Sequence, residues 1–144
     1  MAALRSRCGH YIFVLWLNKI LRILQNKLAY NAPVRELYTA YTTLPIPQSH
    51  KQQLLLLVHK YHKHLLPKIF CDYFQFNQGM YSYETRNKAG LHQRSVNTTF
   101  GQRCIKFKGS FLWNNLPNCV KNIGSIKKFK SELKFYLQQN WTLE

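Results

Sequence analysis

The sequence predicts a mainly α-helical fold with one short β-hairpin, irregular in plan and suited to forming part of a larger fold. Three observations carry this reading. Apolar residues recur at spacings of three and four in three separate stretches, the pattern of helices with one apolar side. One short stretch, Ile105 to Lys108, instead alternates apolar and basic residues with the period of a strand. Prolines and a long polar run fall between these stretches rather than inside them.

Phe13, Leu17, Leu21, Leu24 and Leu28, with Ile12, Trp16, Ile20 and Ile23, predict a first helix with a wide apolar face. Arg22 and Lys27 lie off that face. Asn31, Ala32 and Pro33 end it, because proline disfavours the helical conformation in the residue before it. Val34 to Tyr41 suits one more short helix, and Leu44-Pro45-Ile46-Pro47 reads as extended, since proline has no place in a helix interior. Ahead of the first helix, Arg5 and Arg7 precede the apolar run Tyr11 to Leu17. That run is far too short to span a bilayer, and no small-residue cleavage site follows it, so an ordinary amphipathic helix is the expectation there.

Ser49 is placed to cap a second helix, His50 to Leu66, which Pro67 stops. Leu54, Leu57, Val58, Tyr61 and Leu65 form its stripe. The unbroken apolar run Leu54 to Val58 implies that some of these residues face a second surface. Phe70 to Phe76 is aromatic and reads equally as strand or helix. Asn77 to Asn97 is polar throughout and predicts a long loop or linker, hence a boundary or a segment ordered by a partner. The expected organisation is a helical segment over 1–76, a polar linker over 77–97, and a basic module over 98–144.

In that last module Phe100-Gly101-Gln102-Arg103 suits the turn of the hairpin, and Phe111-Leu112-Trp113 is a short apolar anchor closed by Leu116-Pro117. Ser125 is placed to cap the final helix. At about 100° per residue, Ile126, Phe129, Leu133, Tyr136 and Leu137 fall within about a third of its circumference. Lys127, Lys130 and Lys134 gather beside that stripe, and Phe135 points away from it. The stripe is expected to pack on Trp113.

Composition limits the chemistry. Of 144 residues, 21 are Lys or Arg and 5 are Asp or Glu, a net charge of +16. Asp72 is the one aspartate; Glu36, Glu84, Glu132 and Glu144 complete the acids, and no two of the five lie within ten residues of each other. Two-metal phosphoryl transfer needs several convergent carboxylates, and glycoside hydrolysis needs a matched pair. Excess positive charge opposes compaction unless a polyanion neutralises it. From Leu91 onward there are nine Lys or Arg against two Glu in 54 residues, interleaved with Phe100, Phe107, Phe111 and Trp113. Cations among aromatics suit a phosphate backbone with bases stacking on exposed rings; the competing reading is a core of aromatics under a solvated basic face.

Other candidate chemistry is thinner. Cys8, Cys71, Cys104 and Cys119 match no zinc or redox spacing and read as reduced thiols. His59, His62 and His64 lie among Lys60, Lys63 and Lys68, which would repel a dication, so they read as part of a solvated basic face. Cys104 with His92 is conceivable as a nucleophile pair for a hydrolase, without a recognisable orienting group. The six glycines are scattered singly, so no phosphate-binding loop is expected.

Beyond composition, a series of residues resembles a known family. Tyr83-Glu84-Thr85-Arg86-Asn87, then Gly101 to Arg103, Gly109, Leu112-Trp113-Asn114-Asn115-Leu116-Pro117, and the closing stretch Ser125 to Leu137 follow one another as similar elements do at the end of a reverse-transcriptase polyprotein. The family is that of jockey-like non-long-terminal-repeat retrotransposons. Leu17 to Lys27, Arg35-Glu36-Leu37-Tyr38 and Leu44-Pro45-Ile46 resemble more loosely the region just beyond the polymerase core. Met1 to Trp16 has no clear counterpart. The family's aromatic-x-Asp-Asp motif is missing, as are its endonuclease domain and terminal zinc knuckle, so no catalytic residue carries over.

The resemblance implies a noncatalytic, post-polymerase C-terminal region that retains affinity for RNA or DNA, needs no cofactor, and has the missing polymerase core as a second partner. Lys106, Lys108, Lys127, Lys130 and Lys134 are the expected phosphate contacts, with Arg86 and Arg103 beside them. The alternative is an independent small basic protein whose N-terminal amphipathic helix docks a partner or, less favoured, an anionic membrane. Either suits a place inside the cell, in nucleus or cytoplasm.

Overall fold

The computed structural model describes residues 15–24, 34–80 and 88–141, without the side chain of Leu37. The described residues are mainly helical and form no sheet. The helical segments are residues 15–24 (α1), Val34–Ala40 (α2), Ile46–His62 (α3), Asn77–Met80 (α4), Thr99–Arg103 (α5), Ile105–Asn114 (α6), Asn118–Lys121 (α7) and Ile126–Trp141 (α8), with a 3-10 turn at Lys68–Phe70. The expected end of the first helix at Asn31 to Pro33 lies outside the described residues, as does Arg86. The chain divides into two compact units, residues 1–49 with 138–144, and residues 50–137.

In the first unit, Leu21 of α1 and Tyr38 of α2 are buried against Leu17, Val34 and Trp141. Tyr38 does two jobs there. Its ring meets Trp141 edge-on at 5.7 Å, and its hydroxyl donates to Asn18 Oδ1 at 2.9 Å, so burial leaves no polar atom unpaired. Arg35 lies over the other ring, 5.8 Å from the Trp141 centroid.

The second unit is built on α3, α6 and α8. Leu54, Leu55 and Val58 of α3 are buried, as are Trp113 of α6 and Phe129, Leu133 and Leu137 of α8. The stripe read for the last helix is therefore its core side, and Phe129 packs on Trp113 with ring centroids 6.1 Å apart. Phe135 is exposed. Helix α3 begins at Ile46, earlier than the expected His50. Pro47 sits in its first turn, where the amide has no intrahelical partner to lose, and the Ser49 amide already donates to the Pro45 carbonyl at 2.8 Å.

Helix α3 also stops at His62, before the expected Leu66. His64 takes a left-handed φ of 52°; its amide donates to the Tyr61 carbonyl, and the Leu65 amide reaches the Lys60 carbonyl, both at 3.0 Å. Thr42 ends α2 in the same way, with φ 48° and a Thr43 amide bonded to the Tyr38 carbonyl at 3.0 Å. Both ends are Schellman closures with a side chain where glycine is usual.

The expected hairpin does not form. Thr98 caps α5, its side chain accepting from the Gly101 amide at 3.2 Å, and Ile105 to Lys108 open α6. An alternation only four residues long fits either period. The decision is made further on, where Gly109, Ser110 and Trp113 are buried together at helical spacing. The remaining strand-like feature among the described residues is an isolated antiparallel bridge, Phe76 with Leu91. Phe70 to Phe76, ambiguous in the sequence, passes from the 3-10 turn through bends to that bridge.

Candidate nucleic-acid interface

Most of the Leu-Trp-Asn-x-Leu-Pro element turns out to position its surroundings. Asn114 acts as a clamp. Its Oδ1 accepts from the Leu91 amide at 3.0 Å, and its Nδ2 donates to the Leu91 carbonyl at 2.9 Å. On either side of Leu91, the Asn77 amide donates to the Gly90 carbonyl at 3.0 Å and the His92 amide to the Gln75 carbonyl at 2.6 Å. Leu91 itself has no exposed surface. The end of the polar stretch is thus pinned to α6 and to the bridge. Trp113 and Leu116 are core residues, and Pro117 precedes α7, which buries Val120. Lys121 donates to the Asn114 carbonyl at 3.1 Å, and burial lowers its pKa.

Gly109 sets how closely α6 approaches its neighbours. A Cβ there would sit 3.2 Å from Phe74 Cε1 and 3.3 Å from Val58 Cγ2, tighter than ordinary packing. Ser110, next to it, is buried and returns its hydroxyl to the Lys106 carbonyl at 3.0 Å.

The histidine run is not a solvated face. His59 is 1% exposed, stacks on Phe129 at a centroid distance of 4.1 Å, and donates from Nε2 to the Ile123 carbonyl at 2.7 Å. His62 stacks on Trp113 at 4.6 Å and meets the edge of Phe76 at 5.1 Å. Burial first, and then the charges of His59, Lys63, His64 and Lys121, push its pKa down to about 4. Both rings act as aromatic core residues. His64, with Lys60 and Lys63, is the exposed remainder. Among the described residues no group of three or more metal-binding side chains converges.

The expected phosphate contacts fall into separate places. Lys127, Lys130 and Lys134 share one side of α8 within about 60° of arc. Lys127 and Lys130 are exposed and Lys134 is partly so. Arg103 is exposed at the end of α5. Lys106 and Lys108, read as neighbours on one strand face, are about 160° apart around α6 because that segment is helical. Lys106 lies over the Tyr73 ring, its Nζ 5.7 Å from the centroid. Lys108 stands on the side of His50, whose pKa is lowered by burial and then by this lysine.

A cavity of about 170 Å³ opens beside the start of α6. Phe74, Val96 and Phe107 supply its apolar wall, and Arg94 and Lys106 supply cations. Cys104 and His92 line it too; among the described residues no carboxylate does. Cys71, Cys104 and Cys119 are free and exposed. Arg94 and Gln75 escaped sequence reasoning as site residues. Arg94 sits in the stretch read as linker, and the usable signal was a lone arginine close to Val96 and Phe100. Compared with protein-family models, curated proteins and solved structures, the chain matches none.

Proposed function

We propose that this chain is a noncatalytic nucleic-acid-binding piece, derived from the post-polymerase C-terminal region of a jockey-like retrotransposon reverse transcriptase. The observation that carries the binding is the row Lys127, Lys130 and Lys134 on the outward side of α8, in a chain of net charge +16. Among the described residues, none of these three lysines meets a carboxylate. Three cations at about i, i+3 and i+7 spacing run along some 10 Å of helix, a distance that covers two phosphates of a strand. Arg103, Lys106 and Lys108 add contacts from other surfaces, and Arg86 is a further candidate. Trp113, Asn114, Leu116 and Pro117 support the ancestry because the element they form has a structural task, holding α6, α7 and the Leu91 segment together. Such a task keeps residues in place after catalytic parts are lost.

The test is a filter-binding titration of single-stranded RNA and DNA across salt concentrations. Triple replacement of Lys127, Lys130 and Lys134 by Gln lowers the magnitude of the log–log slope by about 2 for single strands. A slope unchanged by the triple substitution overturns the assignment of this row.

One observation favours the alternative of a docking protein. Leu15, Ile23 and Leu24 of α1 are more than half exposed while Leu21 of the same helix is buried, so α1 has a second apolar side. That side suits an apolar face of a protein partner, as an independent small basic interaction protein would need. Ile23→Gln with Leu24→Gln abolishes such docking and leaves binding of nucleic acid intact.

A further inference from the structure

The cavity beside α6 is not a feature that net charge requires. Phe74, Phe107 and Val96 give it an apolar wall, Gln75, His92 and Ser110 add polar groups, its cations stand at two separate points, and among the described residues no carboxylate lines it. A strand held by charge alone needs no such hollow. At about 170 Å³ it is well below the 300 Å³ or more that houses a whole drug-sized molecule. One ring system fits; an extended lipid chain or a cofactor does not. A ligand that brings a flat apolar ring and an attached anion matches the Phe74–Phe107 wall together with Arg94 and Lys106.

Position strengthens the match. Lys106 is both one of the expected phosphate contacts and part of the cavity lining, so a backbone that reaches Lys106 passes the cavity's edge. The hollow is also well built. Phe74 is buried and held by Gly109, where a Cβ would sit 3.2 Å from its ring, and Asn114 and the Phe76–Leu91 bridge anchor the segment leading to Arg94.

We propose that this cavity takes one unstacked base of a single-stranded nucleic acid, with Phe107 as stacking surface and Arg94 and Lys106 on the flanking phosphates. The inference deepens the nucleic-acid reading above and rests on it. A base enters from a single strand at little cost, whereas a duplex would first have to give one up. Affinity at this site therefore has a component that depends on the base and not on salt.

The experiment uses the full chain and two strands of equal length, one ordinary and one in which every sugar lacks its base. Both carry the same phosphates. The ordinary strand is expected to bind about tenfold more tightly than the abasic one, as stacking of one base predicts. It is also expected to slow alkylation of Cys104, read by mass spectrometry, with exposed Cys119 as the internal control. Phe107→Ala, which removes the stacking ring, narrows the difference between the strands, whereas Arg94→Gln, a change at an exposed side chain, weakens both strands alike. Equal binding of both strands with Cys104 unprotected overturns the cavity proposal and leaves the charge-based reading standing. Binding of neither strand in dilute buffer overturns both.

Discussion

Asn114 closes two hydrogen bonds on the backbone of Leu91, one to the amide at 3.0 Å and one to the carbonyl at 2.9 Å. A side-chain amide can pair with a peptide group in this way because it has the same donor and acceptor spacing as a β-bridge partner. The clamp leaves neither polar group of Leu91 unpaired where the chain is buried. Asn114→Ala removes both bonds and strands the Leu91 amide, for a loss of about 2–3 kcal/mol. Asn114→Asp keeps the acceptor and loses the donor, so it falls between. Urea midpoints rank the three proteins, and hydrogen exchange at the Leu91 amide rises most in the alanine variant, which alone loses that amide's acceptor.

Gly109 is a closely packed point of the second unit's core. With Phe74 Cζ and Val58 Cγ2 each 3.3 Å from the position of a Cβ, Gly109→Ala forces α6 or Phe74 to shift. Overpacking outweighs the gain in helix propensity, and the net loss is about 1–2 kcal/mol by urea unfolding. An alanine that stabilises would show that the α3–α6 approach is looser than described.

His62 gives the chain a defined acid sensitivity. An unfolded histidine titrates near 6.5, while burial holds folded His62 at about 4. Between those values the unfolded chain binds a proton that the folded chain refuses. Stability is therefore complete above about pH 6.5 and is lost as the pH falls toward 4. The ring keeps some contact with solvent, so the loss over this window is about 1–2 kcal/mol rather than the full value of the shift. His62→Phe keeps a ring against Trp113 and flattens this part of the urea-midpoint profile.

The two left-handed helix ends offer the opposite sign. Thr42 at φ 48° and His64 at φ 52° occupy conformations that cost a residue with a Cβ about 1 kcal/mol or more. Thr42→Gly and His64→Gly each stabilise by about 0.5–1 kcal/mol, after the extra freedom of glycine in the unfolded chain is subtracted. Differential scanning calorimetry reads both as a raised Tm.

How much of this was legible in the residues depends on how local the signal is. The stripe Phe129, Leu133 and Leu137 showed in the sequence because a sixteen-residue helix averages its period over four turns. Ile105 to Lys108 misled because two alternations are too few to choose between periods. The choice came from Gly109, Ser110 and Trp113, whose burial depends on α3 and Phe74 lying opposite. The histidines misled for a related reason. Their lysine neighbours in sequence suggested solvent, whereas the helix turns His59 and His62 toward Phe129 and Trp113 and leaves Lys60 and Lys63 outside. Leu91 and Arg94 lay in a polar stretch with no period at all; the partner that orders that stretch, Asn114, is more than twenty residues away.

The central claim is that the exposed cations grip a sugar–phosphate backbone. It is tested most directly by the salt dependence of binding of the whole chain to a single-stranded oligonucleotide. Counterion release predicts that log K falls linearly with log salt concentration, with a slope of about −4 if six phosphates are engaged. A slope near zero, or no binding even in dilute buffer, contradicts the account.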